Sequence, residues 1–129
     1  MKQERFKREN DEGLVIIKCK FPNHEVALAL DTGASHTTID LTALQIAGYD
    51  ISMAARTTFL ETASGVIQAY IFRVKEFKAL GFTKRNIEIC AYDFFAHHVL
   101  ADIDGVLGLD FIAEYKICID FKTEIITLM

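Results

Sequence analysis

The chain has 129 residues, 51% of them hydrophobic and 25% charged, and a net charge of −4. That length favours one domain with a real core, and the acidic balance gives no electrostatic case for a nucleic-acid partner. No apolar run approaches the roughly 18 residues needed to span a bilayer, so no membrane partner is expected.

The first residues, MKQERFKRENDEG, are densely charged and lack the apolar core of a signal peptide, so a cytoplasmic chain is expected. Residues 1–12 read as a polar, mobile N-terminal arm, and residues 13–129 as the folded domain. From Leu14 onward the pattern turns to short β-type runs. "LVIIKCKF" is rich in β-branched residues, and "EVALALD" follows it after the Pro22-Asn23 turn signal. "TTID" predicts another short strand, and "LTALQIAGYD" a brief helix ending near Gly48. "ARTTFLET" and "VIQAYIFRV" flank Ala63-Ser64-Gly65, which predicts a hairpin with a small-residue tip. A break at Leu80-Gly81-Phe82 precedes "RNIEICAYDF", and then come "GVLGLDFIAEY", "KICIDF" and "EIITL". The cationic residues of "KEFKALGFTKR" read as a solvated face. Many short strands, one or two short helices and no linker or repeat predict an all-β fold, a closed barrel or sandwich.

Cys19, Cys90 and Cys118 lie far apart with no CxxC spacing. They read as buried free thiols, because structural zinc wants four clustered ligands. His97-His98 near Asp102 and Asp104 is a weak metal signal, since adjacent strand residues point to opposite faces. "DIDG" opens like a calcium loop, but Val106-Leu107 follow where oxygen ligands are needed. No metal and no cofactor is therefore expected.

The segment "LALDTGASHTTID", Leu28–Asp40, carries the chemistry. A carboxylate at the end of a buried strand suffers desolvation unless neighbours satisfy it. Thr32 supplies a hydroxyl and Gly33 lets backbone approach closely, which would hold Asp31 at a defined angle. An Asx-turn closing a hairpin is the bland alternative. Asp110 reads as a helix cap or a backbone partner.

"LALDTGASHTTID" resembles the active-site segment of retropepsin-like aspartic proteases. "GVLGLDFI", Gly105–Ile112, resembles the apolar-apolar-Gly segment before that fold's short C-terminal helix, and the Ala63-Ser64-Gly65 hairpin stands where the family has its flap. The resemblance implies a retropepsin-like closed β-barrel with a flap hairpin. It also implies an aspartic-type endopeptidase acting on a peptide or protein substrate. Asp31 would be the catalytic acid/base, and Thr32 and Gly33 would support the active-site loop. Ala34, Ser35, Ser64, Gly65 and Val66 would contact substrate, with Ile67 beside them in the closing flap. Val106 and Leu107 would line an apolar pocket, and Gly108 would let strands cross closely behind the site. His36 lies beside the proposed site, but reads as a solvated surface side chain.

The chain holds a single Asp-Thr-Gly. Peptide hydrolysis by this route needs one ionised carboxylate to take a proton from water and one protonated partner to polarise the carbonyl. The resemblance thus implies a homodimer, with Asp31 meeting its copy across a two-fold axis. Ala34 lacks the hydroxyl that pepsin-like enzymes often carry there, which implies a working pH less acidic than pepsin's. Viral members typically place an Asp at position 35 and an Arg at position 109. Ser35 and Leu109 depart from both, and the cellular or bacterial branch is the better fit. A non-catalytic module that dimerises or holds a peptide is the alternative function on the same fold.

Overall fold

A computed structural model describes residues 1–8, 13–63, 65–94, 96 and 102–129. Its strands are β1 (Lys2–Arg5), β2 (Ile16–Phe21), β3 (His24–Leu30), β4 (Thr38–Asp40), β5 (Arg56–Thr62), β6 (Gly65–Ala79), β7 (Phe82–Tyr92), β8 (Gly105–Leu107), β9 (Ile117–Asp120) and β10 (Ile125–Leu128). Two short helices, α1 (Leu41–Ile46) and α2 (Leu109–Ile112), and a 3-10 turn at Ile51–Met53 complete the described elements. Among the described residues, no helix is long and apolar enough to cross a membrane.

The strands β2-β3-β8-β4-β7-β6 follow one another by hydrogen bonding, and β6 returns to β2 through Cys19↔Ala79 and Lys20↔Lys78. Closure of that ring gives a six-stranded barrel. β5 lies outside it, paired with the first half of β6 from Arg56↔Ile71 to Thr62↔Gly65. The all-β expectation therefore holds, including the hairpin that joins Thr62 to Gly65. Ser64 lies outside the described residues, as do His97 and His98.

Strand alternation builds the core. On β2, Ile17, Cys19 and Phe21 point inward while Lys18 and Lys20 point to solvent. Phe77 is fully buried, with its ring 5.1 Å from that of Phe21 and 6.0 Å from that of Phe111. Burying each such side chain stabilises the fold by about 1.5–3 kcal/mol. β6 buries both of its faces in succession. Phe72 and Val74 enter the main core, whereas Ala69 and Ile71 join Cys90 in a smaller cluster against which Leu60 and Tyr92 pack. That second cluster backs the site described below.

Three findings differ from the sequence expectations. Residues 2–5 are not a mobile arm: β1 pairs with β10, which also pairs with β9, in a separate three-stranded sheet. Phe6 anchors it, buried to 3% exposure with its N–H donating to the Glu124 carbonyl at 3.1 Å. Lys84 is not part of a solvated face. Its ammonium lies 4.9 Å over the Phe111 ring and 2.7 Å from Glu114 Oε1, because α2 and Tyr115 pack across β7 there. Cys19 and Cys90 are buried free thiols as expected, but Cys118 is exposed on β9.

Candidate active site

The apolar run Leu28-Ala29-Leu30 is the last part of β3 and pairs in parallel with Gly105-Val106-Leu107 of β8. Asp31 stands one residue beyond that ladder and extends it, its N–H donating to the Leu107 carbonyl at 3.0 Å. The strand thus fixes the backbone from which the carboxylate projects. The chain then turns: Gly33 N–H donates to Asp31 Oδ1 at 2.8 Å, and Ala34 N–H to the Asp31 carbonyl at 3.2 Å. A charged acceptor held by a backbone N–H is oriented as well as stabilised. The awkward carboxylate of the sequence is half-buried and held in its turn.

The rest of the loop is sutured to α2. Leu109 N–H donates to the Ala34 carbonyl at 2.8 Å and Asp110 N–H to the Ser35 carbonyl at 3.2 Å. In return, Thr37 N–H reaches both Asp110 carboxylate oxygens at 2.9 Å, and Thr37 Oγ1 donates to Asp110 Oδ1 at 2.8 Å. Gly108 N–H donates to Thr37 Oγ1 at 3.2 Å, so the fully buried Thr37 hydroxyl both gives and accepts. Asp110 is therefore a backbone partner, as its sequence context suggests.

Close approach explains the glycine between these segments. A Cβ on Gly108 would lie 2.7 Å from the His36 carbonyl carbon and 2.8 Å from the Ala34 carbonyl oxygen. Any side chain there would push the loop off α2. The predicted close crossing behind the site is present. Asp104 and Asp40 secure the flanks: Asp104 Oδ2 accepts from Ala27 N–H at 2.9 Å, and Asp40 Oδ1 from Phe94 N–H at 3.0 Å. The "DIDG" carboxylate thus serves the backbone of β3.

Asp31 opens onto a cleft of about 450 Å³. Gly33, Ala34, Ser35, His36 and Thr38 of the following loop and strand line it with the carboxylate. Leu60 and Glu61 of β5, Tyr92, Phe94, Ile103, Gly105 and Val106 complete the lining. Tyr92 and Phe94 lie ring to ring at 4.7 Å. Burial at this wall pushes the Tyr92 hydroxyl above its ordinary value, helped by the nearby Cys90 and Asp40. Ser35 Oγ and His36 Nδ1 are 3.0 Å apart, a contact that orients the imidazole in the cleft lining.

The structure thus brings together Asp31, Gly33, Ala34, Ser35 and Val106. Thr32 is exposed on the outer side of the loop. Leu107 is fully buried, so its side chain belongs to the core and not to a pocket wall; what it gives the site is the carbonyl that holds Asp31. Gly65 and Val66 sit at the far end of the hairpin, outside the cleft lining, with Val66 65% exposed. Ile67 is buried at the root of Leu60. The sequence reading missed Leu60, Glu61, Tyr92, Phe94 and Ile103. The first two had a usable signal, since they precede the hairpin tip.

A bidentate pair fixes the base of the hairpin. Arg56 donates to Glu88 at 2.7 and 2.9 Å, and Arg73 lies 3.6 Å from the same carboxylate. The Arg56 hydrogen bond, with Arg73 and His36 nearby, holds the Glu88 carboxyl below its ordinary value.

Comparison with known proteins agrees with this geometry. The aspartyl protease family profile matches residues 17–111. A search of curated proteins returned no match. Among solved structures, the chain is similar to a retropepsin-like aspartic protease from Rickettsia conorii, with a TM-score of 0.72 at 20% identity, over 100% of this chain and 99% of that one. That likeness is one of fold, in keeping with the closed six-stranded barrel. With Asp31 of Asp-Thr-Gly lining the cleft and the family profile running through both loop segments, the chain belongs to the aspartyl protease family.

Proposed function

We propose that the chain is an aspartic endopeptidase that acts as a homodimer, with water activated between two Asp31 carboxylates. The observation that carries this reading is the single Asp31 of Asp-Thr-Gly, held by the Gly33 N–H and lining a cleft of about 450 Å³. One carboxylate cannot be base and acid at once, so a second copy supplies the other. Two acids brought that close share one proton; the aspartic-protease dyad is the standard example of that coupling.

The division of labour follows from the two protonation states the reaction needs. Ionised Asp31 takes a proton from water as the water attacks the scissile carbonyl. Its protonated counterpart donates to the carbonyl oxygen to give a gem-diol; the C–N bond then breaks as the proton taken from water passes to the leaving amine and a gem-diol hydroxyl returns its proton to the counterpart. Thr32, exposed beside Asp31, would meet the partner's loop in such a dimer. Ser35 and the Gly33 backbone flank the path of an extended peptide. The β5–β6 hairpin acts as a flap: Gly65 and Val66 close over substrate in the dimer, and closure excludes water.

The test is peptide-bond cleavage by the purified protein. Cleavage is expected to be inhibited by pepstatin-like statines and reduced about 10²–10⁴-fold by Asp31→Asn. Equal cleavage by that variant contradicts the mechanism. A well-formed dimer that cuts nothing across a broad peptide library favours a peptide-holding module instead.

A further inference from the structure

β5 is the outer strand of the hairpin. Among the described residues its only strand partner is β6, so one edge of its backbone remains open. Leu60 and Glu61 of this strand line the cleft, so the open edge borders the space a substrate occupies. An extended peptide pairing along that edge adds a strand to the hairpin, and its side chains then alternate between the two faces of the enlarged sheet.

The two faces differ in chemistry. Leu60 shares its face with its cross-strand partner Ile67 and packs on the Ala69–Ile71–Cys90 cluster. Glu61 shares the other face with its cross-strand partner Val66 and with Phe59, which are 65% and 70% exposed. Those neighbours offer a carboxylate no counter-charge. The hairpin's arginines are occupied elsewhere, since Arg56 and Arg73 both face Glu88. Among the described residues no cation pairs with Glu61. Asp31 and Glu61 are the two carboxylates among the cleft-lining residues, and His36, which also lines the cleft, contacts Ser35 Oγ at 3.0 Å.

We infer that Glu61 is a specificity determinant that selects peptides carrying a lysine or arginine directly beside the apolar residue facing Leu60. The residue opposite Leu60 points into the apolar part of the cleft. The next residue lies opposite Glu61, on its face, at the separation where opposite charges on neighbouring strands attract. The basic side chain lays its aliphatic stem along the exposed Phe59, on the same face of β5, and places its cationic head at the carboxylate. The substrate class is thus an extended peptide with an apolar–basic pair near the scissile bond. This inference rests on the protease reading for the peptide path, while the charge preference belongs to Glu61 alone.

The experiment uses one synthetic degenerate peptide library. Cleavage products from the wild type, Glu61→Gln and Glu61→Lys are sequenced by mass spectrometry. The wild type is expected to enrich Lys and Arg about two- to fivefold at one position next to an apolar site, the range of an exposed ion pair. Glu61→Gln abolishes that enrichment, Glu61→Lys replaces it with Asp and Glu, and 0.5 M salt flattens it. A merely structural role for Glu61 does not produce the inversion. Unchanged enrichment in Glu61→Gln, or no basic enrichment in the wild type, overturns the inference. The same library is also captured on immobilised Asp31→Asn and on Asp31→Asn/Glu61→Gln. If the wild type cuts nothing, the protease reading fails. The capture ratio of basic to neutral peptides then decides Glu61 by itself: enrichment lost with Glu61 supports the role, and equal capture refutes it.

Discussion

Thr37 Oγ1 donates to Asp110 Oδ1 at 2.8 Å across 73 residues of sequence, joining the Asp31 loop to the first turn of α2. Asp110 also receives the Thr37 N–H on both oxygens, and Thr37 is completely buried. The carboxylate is thus the scaffold beneath the site. Asp110→Ala leaves a buried N–H and hydroxyl without their partner, a cost of about 1–3 kcal/mol for each unsatisfied group. Urea unfolding is expected to show a loss of about 2–4 kcal/mol, with Thr37→Val losing less. A midpoint for Asp110→Ala equal to the wild type's means that this scaffold does not carry the loop.

Gly108→Ala is expected to harm activity as well as stability. The added methyl meets the backbone of His36 and Ala34 at 2.7–2.9 Å, and backbone cannot step aside as a flexible side chain does. Overpacking of this kind costs about 1–3 kcal/mol, and here the displaced segment carries Asp31. Thermal unfolding together with kcat measures both effects. Full activity in a destabilised Gly108→Ala would show that loop placement and catalysis are separable.

Much of this site is legible in the sequence, because the two loop segments carry their identity in local chemistry. An apolar strand running into Asp-Thr-Gly, and an apolar-apolar-Gly before a short helix, are each readable alone. Their contact, from Asp31 to Leu107 and from Thr37 to Asp110, follows from the parallel β3–β8 pairing. The cleft walls are less legible, since Leu60, Tyr92, Phe94 and Ile103 come from segments distant in sequence, with no shared motif. Leu107 shows the limit of a pattern: its neighbour Val106 faces the cleft, so strand alternation turns Leu107 into the core. β1 is hidden for another reason. Lys-Gln-Glu-Arg has no apolar alternation, and its order comes from pairing with β10 and from the single anchor Phe6.

β1 also carries a pH-dependent contribution. Burial raises the Glu4 carboxyl above its ordinary 4.5, against the opposing pull of Lys20 and Lys78. Among the described residues its Oε2 is enclosed without a hydrogen-bond partner. A carboxyl whose folded-state value is raised favours the fold while protonated. That contribution is complete below the unfolded value and is lost as pH rises through the higher folded value. Glu4→Gln is therefore expected to raise stability near neutral pH and to flatten its dependence between about pH 4 and 7. Hydrogen exchange at the β1 amides, followed over that range, reads the effect. Steeper pH dependence in Glu4→Gln would reverse the assignment.

The three thiols should separate cleanly. Burial pushes the Cys19 and Cys90 thiols up, and Cys118 is exposed on β9. A thiolate-seeking reagent under native conditions is expected to modify one cysteine per chain quickly, with the other two reacting only on unfolding. Peptide mapping identifies it. Rapid labelling of Cys19 would show that β2 opens from the barrel far more readily than its burial implies.

The proposed dyad is tested most directly by diluting the protein while its association state is followed by sedimentation. Specific activity is expected to fall in proportion to the dimer fraction, and added Asp31→Asn chains are expected to inhibit the wild type by forming mixed dimers with one working carboxylate. Specific activity that stays constant as the protein dissociates to monomers would contradict a site built from two copies of Asp31.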